Sequence, residues 1–254
     1  MKPLTGMQVL SLAINIPGPV AAARLAQMGA GVVKIEPPGG DPLALACPAW
    51  YQALHEGQTV ITLDLKTAGG QASLDGWLAR SDLLLTATRP AALERLGLDW
   101  PSLSARYHRL CQVAIVGYEP PEENRVGHDL TYQAGMGLLQ VAGSRWQVAT
   151  GRSGPKSKIQ NAKWVEEREQ QPLLPKVLVA DLAGAERAAM AAVGLLLARE
   201  RGMGAGYVEV SLAEAARAFA EPWRRGLTAA GGLLGGGLPG YNLYAAKTGW
   251  IAVA

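Results

Sequence analysis

The sequence predicts an α/β fold in which an open parallel sheet is followed by the start of a smaller second domain. Apolar, strand-like runs alternate with helical stretches over residues 8–116, and a Gly-rich break at residues 231–240 precedes two further strand-like runs. Because Phe occurs once against 31 Gly, the core is expected to consist of Leu, Ala and Val, which suits helices packed on a parallel sheet. The 254 residues are enough for one large domain with an appendage.

The first half of the chain predicts repeated strand–helix–strand units. The first unit consists of a strand, a turn, an Ala-rich helix and a second strand, over residues 8–13, 16–19, 20–28 and 31–36. Three more strands and two helices follow, over residues 59–63, 69–79, 82–86, 91–96 and 109–116. This alternation places a ligand at the carboxyl ends of the strands. The first turn lacks the Gly-x-Gly-x-x-Gly fingerprint, so a nicotinamide or flavin cofactor is not indicated.

Asp181 stands alone at the end of an apolar run over residues 177–180, and a helix is predicted directly after it, over residues 182–200. That helix is rich in Ala and Gly and is expected to be buried. Asp181 occupies the place of an N-cap, and capping alone would explain an aspartate there. A carboxylate between apolar segments is also a candidate nucleophile or general base.

His128 is the candidate for chemistry among the three histidines. His55 lies in a polar turn and His108 lies between arginines, so both are expected at the surface. His128 precedes Asp129 at a predicted loop-to-helix junction. The simpler interpretation of this pair is a loop histidine followed by a capping aspartate.

Charge and cysteine usage exclude several classes of function. The net charge of +3 is matched by residues 141–170, which hold six basic and three acidic residues, so the rest of the chain is neutral and no nucleic-acid partner is expected. Cys47 and Cys111 form no Cys-x-x-Cys motif, and no disulfide framework or metal site is expected. No signal-peptide core or run of about 18 apolar residues occurs, so we expect a cytoplasmic protein without a membrane partner.

The second half of the chain sets the predicted domain boundaries. A strand at residues 207–211 and a helix at residues 212–220 precede the Gly-rich break, and residues 241–244 and 250–254 resemble a hairpin. We therefore expect a large domain at residues 1–204 with a surface insertion at residues 141–170. A strand-and-helix linker at residues 205–230 and the start of a truncated small domain at residues 231–254 follow.

A series of short motifs along nearly the whole chain resembles the family III CoA transferases, which include carnitine CoA-transferase, formyl-CoA transferase and α-methylacyl-CoA racemase. They include Gly-His-Asp-Leu-Thr-Tyr-Gln and Ala-Asp-Leu-Ala-Gly, and they lie at residues 6–10, 27–37, 61–66, 89–90, 94–98, 127–133, 180–184, 198–202 and 208–212. The resemblance implies a Rossmann-like sheet with helices on both faces, a smaller second domain, and a homodimer of interlocked ring-shaped chains.

The resemblance also implies roles for the candidate residues. In the transferases the aspartate matching Asp181 is the nucleophile, which forms an acyl anhydride and then a thioester with CoA. In the racemases this aspartate and the histidine matching His128 are an acid/base pair across the α-carbon of an acyl-CoA. The amide of Asp129 is expected to donate to the enolate oxygen. Lys34 and Arg89 are expected, by similarity, to contact the phosphates of CoA, the substrate carrier.

Three functions remain open at this point. Because transferases of the family usually carry another residue at the position of His128, racemase-like proton transfer on a 2-methylacyl-CoA is the first expectation. The second is CoA transfer between carboxylic acids through Asp181, with His128 a bystander. The third is a truncated, catalytically silent homologue that serves as a binding or partner subunit. This third interpretation rests on the end of the chain, where the family continues, and on the weakly basic segment at residues 55–58.

Overall fold

The computed structural model describes residues 1–139 and 173–254. The strands are Gln8–Ser11 (β1), Gly31–Glu36 (β2), Thr59–Thr62 (β3), Leu83–Thr86 (β4), Cys111–Val116 (β5), Tyr207–Ser211 (β6), Asn242–Ala245 (β7) and Trp250–Val253 (β8). The helices are Pro17–Gln27 (α1), Pro42–Ala46 (α2), Pro48–Leu54 (α3), Ala68–Leu78 (α4), Pro90–Arg95 (α5), Trp100–Arg106 (α6), Asp129–Gly135 (α7), Val179–Ala198 (α8) and Leu212–Arg224 (α9). The predicted insertion at residues 141–170 lies outside the described residues.

Six strands form one parallel sheet in the order β3-β2-β1-β4-β5-β6, which confirms the predicted open parallel α/β sheet. The strand order reverses between β1 and β4, and the crevice outside the carboxyl ends of the strands at such a point is the usual ligand site of this class. Strand β6 pairs with β5, with Tyr207 opposite Gln112. The sheet therefore extends past residue 204 and includes this strand, which was predicted as part of a linker. Val210 and Ser211 of the strand are buried.

Both faces of the sheet are covered. Leu10 and Leu84 lie opposite each other in register, so they share a face, where they pack against Leu74 of α4 and Leu103 of α6. Neighbouring strand residues point to the other face. Leu85 and its neighbours there are as buried as the first set, and helices α1 and α8 contact the strands on that side. The predicted cover of helices on both faces is thus confirmed.

Small residues set the distance between α1 and the segment that joins it to β1. An added Cβ on Gly18 would lie 2.0 Å from the Cβ of Ala13 and 3.2 Å from its Cα. The helix begins at Pro17, so residues that we predicted as a turn form its first turn. Proline is well placed there, because its missing N–H would have no partner in the first turn anyway.

Helix α8 is buried through small side chains on most of its surface, but Glu186, Met190, Gly194 and Leu197 form an exposed stripe, so the predicted burial holds only in part. Six of its eight alanines, at positions 180, 183, 185, 188, 189 and 192, are each at most 5% exposed. The helix begins earlier than predicted, because the amide of Leu182 already donates to the carbonyl of Leu178 at 2.9 Å. The apolar run before Asp181 therefore supplies the first turn of this helix.

The chain divides into two compact units. The first comprises Met1–Tyr132 and Leu178–Ala216 and contains the six-stranded sheet. The second comprises Gln133–Val177 and Arg217–Ala254. It holds the antiparallel pair β7–β8, in which Asn242 lies opposite Val253, so the predicted hairpin is confirmed. Among the described residues, none of the helices has the length and apolar character that crossing a bilayer requires.

Candidate active site

A cavity of about 260 Å³ opens at the carboxyl edge of the sheet, beside the point where the strand order reverses. Asn15, Arg89 and Gly117 line it from the segments that follow β1, β4 and β5. His128, directly before α7, and Asp181, on α8, complete its wall. The structure thus brings three of the predicted site residues to the edge where the sequence predicted a ligand.

Asp181 lies in the first turn of α8 and is not its N-cap, which corrects the sequence-based expectation. The cap position belongs to Leu178, whose side chain makes no capping hydrogen bond. Burial, and secondarily the charge of Asp129, raises the pKa of the Asp181 carboxyl to about 7. Near neutral pH this carboxyl therefore exists in both protonation states, which suits a group that gives and takes a proton.

Asp129 supplies the missing cap of α8 from a distant part of the chain. Its Oδ1 accepts hydrogen bonds from the amides of Ala180 at 2.8 Å and Asp181 at 3.1 Å, and the residue is 5% exposed. We had expected Asp129 to cap its own helix or to contribute its amide. The structure corrects the capping expectation, because the carboxylate binds the amides of another helix, where an anion is favoured by the helix dipole. The expected role of the Asp129 backbone amide stays a prediction.

His128 takes the N-cap position of α7 through its backbone. Its carbonyl accepts the amides of Thr131 at 2.8 Å and Tyr132 at 3.1 Å, and Thr131 Oγ1 accepts the His128 amide at 2.9 Å. This return contact from the third residue of the helix resembles a capping box. The backbone of His128 is therefore fixed, and the residue is exposed and lines the cavity.

Tyr132 is a cavity residue that the sequence analysis did not select. It is 3% exposed, and burial raises its pKa to about 12, so the phenol stays protonated. A Cβ on either Gly117 or Gly127 would lie 2.5 Å from its ring or hydroxyl. The glycine of the Gly-His-Asp motif thus has a packing reason, because the loop runs directly against this ring.

Arg125 is a second cavity residue missed from the sequence. Its guanidinium lies 4.6 Å from the ring centre of Tyr118 and forms an ion pair with Glu122 at 3.1 Å. Both contacts are formed within the loop that joins β5 to α7. With Arg89, this residue gives the cavity two guanidinium groups, which suit carboxylate or phosphate groups of a ligand.

Lys34 does not face the cavity, which corrects its expected role as a phosphate contact. Its side chain is 1% exposed, and its ammonium pairs with Glu36 at 2.9 Å and with Asp41. The same nitrogen lies 2.9 Å from Nε2 of His55. A lysine enclosed by two carboxylates and an imidazole holds the structure together and is not accessible to a phosphate.

His55 is buried, which corrects the expectation that it lies at the surface, whereas His108 is exposed as predicted. The ring of His55 lies 4.2 Å from the ring of Tyr51, and burial lowers the pKa of His55. His55, Glu36 and Asp41 have ligand atoms within 4.8 Å of one another, a spacing that fits a metal ion. The Lys34 ammonium contacts all three groups, so a second cation does not fit among them.

A second, more apolar cavity of about 510 Å³ lies along the carboxyl ends of β1, β2 and β3. Ile14 lines both cavities, so one wall is common to the two. Pro37, Leu63 and Leu93 are among its apolar lining residues, and the exposed Lys66 stands at its margin. An apolar pocket with a cation beside it suits a ligand that carries both a flat ring and an anionic group.

Nearly the whole chain is similar to a known protein family. The model of the family described as CoA-transferase family III matches residues 4–254. The chain belongs to CoA-transferase family III. The match spans both compact units, and it agrees with the motif order that the sequence analysis identified.

Relatives with named activities are similar over part of their length. Cinnamoyl-CoA:phenyllactate CoA-transferase of Clostridium sporogenes is 35% identical over 140 residues, which cover 50% of this chain and 34% of the relative. A protein of Mycobacterium tuberculosis named "Probable fatty acyl-CoA transferase Rv3272" is 30% identical over 230 residues, covering 85% and 52% respectively. The chain thus spans between about a third and about a half of the length of these relatives.

Solved structures agree with the fold. A crystal structure of the M. tuberculosis protein Rv3272 matches with a TM-score of 0.78 and 25% identity, over 100% of this chain and 65% of that one. A CAIB/BAIF family protein from Brucella suis matches with a TM-score of 0.76, and its 21% identity bears on the fold alone.

Proposed function

We propose that this chain transfers CoA between carboxylic acids through covalent intermediates at Asp181. The observation that carries the proposal is the position of Asp181, which lines a cavity at the switch point of the sheet with a carboxyl pKa of about 7. The names of the relatives support transfer over the racemase-like reaction that the sequence analysis put first.

The chemistry suits a partly buried carboxylate. Asp181 attacks the thioester carbonyl, the carbon–sulfur bond breaks, and the CoA thiolate leaves behind an acyl anhydride on the aspartate. The thiolate then attacks the aspartyl carbonyl, which releases the first acid as a carboxylate and leaves an aspartyl-CoA thioester. A second carboxylate repeats the two steps in reverse order and departs as its CoA thioester. With a pKa of about 7, Asp181 is ionised in about half of the molecules at neutral pH and is more basic than an ordinary aspartate.

We place CoA across the two cavities, with the thioester beside Asp181 and the nucleotide in the apolar cavity. Their common wall at Ile14 supports one ligand that reaches both. Arg89 and Lys66 are the proposed contacts for its phosphates, since both are exposed and each lines one of the cavities. Lys34 is not proposed as a ligand contact, because its ammonium is buried among carboxylates.

A racemase-like reaction is the second candidate, and the specific observation that favours it is that His128 and Asp181 line the same cavity. In that reaction one group removes the α-proton of an acyl-CoA while the other returns a proton from the opposite side. The amide of Asp129, at the start of α7, is the proposed donor to the enolate oxygen.

Two measurements separate these functions. In the transfer reaction, intact mass spectrometry after incubation with succinyl-CoA shows a covalent CoA adduct that Asp181→Ala abolishes. In the racemase-like reaction, isobutyryl-CoA exchanges its α-hydrogen with deuterium from solvent, and His128→Ala stops the exchange. Calorimetric titration with free CoA comes first, because a folded protein that does not bind CoA would support the silent homologue instead.

We also propose that the protein acts as a homodimer, which light scattering at micromolar concentration tests.

A further inference from the structure

Asn15 has an unusual backbone conformation in the wall of the active-site cavity. Its φ is 69°, and within residues 1–139 and 173–254 every other residue with a positive φ is a glycine. Asparagine tolerates this left-handed region better than most residues, but it still costs free energy relative to an ordinary conformation. Strained positions of this kind concentrate at functional sites, where the surrounding structure maintains them.

A buried ionic cluster, formed by Lys34, Glu36 and Asp41, holds Asn15 in this conformation. The amide of Asn15 donates to Oδ1 of Asp41 at 2.9 Å, and the same oxygen accepts the amide of Leu43 at 2.9 Å. The other oxygen of Asp41 is bound by the ammonium of Lys34, and the Asp41 side chain is 0% exposed. The carboxylate therefore cannot turn away from Asn15 without losing its buried ion pair with Lys34.

Asn15 itself belongs to the wall of the cavity. Asn15 is exposed and lines the cavity together with Asp181 and His128, whereas Asp41 and Lys34 are not part of the lining. The side-chain amide of Asn15 offers both a donor and an acceptor without a net charge. A thioester carbonyl bound beside Asp181 would present an oxygen that needs such a donor.

We propose that the side-chain amide of Asn15 donates a hydrogen bond to the acyl carbonyl oxygen of the bound thioester, and that Asp41, held by Lys34, is a positioning residue for it. This inference rests on the proposed function, because it takes the acyl group to lie in the cavity that Asp181 lines. It assigns the buried cluster a role in the site, although none of its members reaches the cavity itself.

Asn15→Gly separates this role from a purely conformational one. Glycine adopts a positive φ without strain, so the substitution removes the side-chain amide and keeps both the backbone N–H and the backbone conformation. The binding of isobutyryl-CoA and of free CoA is compared by calorimetry in the Asp181→Asn background, which excludes covalent chemistry. We expect Asn15→Gly to weaken the binding of isobutyryl-CoA by about 5- to 10-fold, as the loss of one hydrogen bond predicts. The binding of free CoA and the midpoint of thermal unfolding are expected to stay unchanged.

The outcomes are distinct. If Asn15→Gly changes neither affinity, or weakens both ligands equally, the inference about Asn15 is overturned while the proposed function stands. If the parent protein binds neither ligand, the proposed function and the inference fail together.

Asp41→Asn tests the positioning role. The variant keeps an oxygen for the Asn15 amide but removes the charge that faces Lys34. If Asp41 acts through Asn15, it should lower the ratio of the isobutyryl-CoA affinity to the CoA affinity only where Asn15 is present, with no further change in the Asn15→Gly background. An equal effect in both backgrounds would reduce Asp41 to a structural residue. Should Asp41→Asn fail to fold, the Asn15→Gly comparison still tests the contact.

Discussion

The carboxylate of Asp129 caps the helix that carries Asp181, accepting the amide of Asp181 itself at 3.1 Å. The two acids therefore share one helix N-terminus, although 52 residues separate them in the sequence. Asp129 takes up the amides that would otherwise stabilise a negative charge there, and its own charge disfavours ionisation of Asp181. Burial is thus the main cause of the raised pKa of Asp181, and the charge of Asp129 adds to it.

The rate of adduct formation should depend on pH through Asp181. Only the ionised carboxyl attacks a thioester, so the rate is expected to rise with pH, to pass its midpoint near pH 7, and to level off above pH 8. Asp129→Asn removes a neighbouring negative charge and should move the midpoint to lower pH. The measurement is the initial rate of adduct formation by intact mass between pH 5.5 and 8.5. An identical midpoint in the variant would contradict the coupling.

The same pKa makes Asp181 a stability cost above neutral pH. The folded-state pKa of about 7 lies above the ordinary value of 3.8, so the folded protein keeps a proton that the unfolded chain loses between these values. Stability therefore falls as the pH rises from about 4 to about 7, and this contribution is constant above that range. We expect Asp181→Asn to raise the free energy of unfolding by on the order of 2–4 kcal/mol at pH 8, and by less at pH 5.

Urea unfolding at the two pH values measures this effect. Glu56→Gln is the matched control, because Glu56 is exposed and its substitution should be neutral at both values. An equal gain for Asp181→Asn at pH 5 and pH 8 would show that the carboxyl is not perturbed by its surroundings.

Two glycines in helices should respond oppositely to alanine. Gly18→Ala places a Cβ 2.0 Å from that of Ala13 and is expected to cost about 1–3 kcal/mol of stability. Gly194→Ala meets no atom within 4 Å and should stabilise helix α8 by about 0.5–1 kcal/mol. Thermal unfolding of the two variants checks both signs, and an unchanged midpoint for Gly18→Ala would argue against the close packing of α1.

Substitution of Lys34 should lower stability, whereas substitution of Lys66 should weaken ligand binding. Lys34→Met leaves the carboxylates of Glu36 and Asp41 buried without their cation, at a cost of about 3–5 kcal/mol in unfolding free energy. Lys66→Met, at an exposed position beside the apolar cavity, should leave stability unchanged and weaken the binding of CoA several-fold. Chemical denaturation and calorimetric titration of both variants provide the test. A Lys34→Met protein of unchanged stability would refute the structural role.

The sequence predicted the sheet well because strands such as β1 and β4 are short apolar runs separated by turn residues, a pattern that local rules detect. It also selected Asp181 and His128, both of which line the cavity at the edge of the sheet where a ligand was predicted. It missed the start of α8, since an apolar segment before a helix has no signal that distinguishes a strand from a first helical turn.

The interactions that decide the roles of individual residues are long-range, and local patterns do not contain them. The position of Lys34 in a family motif suggested a ligand contact, but its burial depends on Asp41, directly before α2, and on His55, directly after α3. The capping of α8 by Asp129 likewise joins two motifs that the sequence presents as separate.

Hydroxylamine trapping shows directly whether Asp181 carries the covalent intermediates. Hydroxylamine converts an aspartyl anhydride or thioester to a stable hydroxamate, which peptide mass spectrometry locates to a single residue. After incubation with succinyl-CoA, we predict a hydroxamate at Asp181 in the unmodified sequence and at no residue in Asp181→Ala. A protein that binds CoA but shows no hydroxamate at Asp181, or shows one elsewhere, would contradict the account.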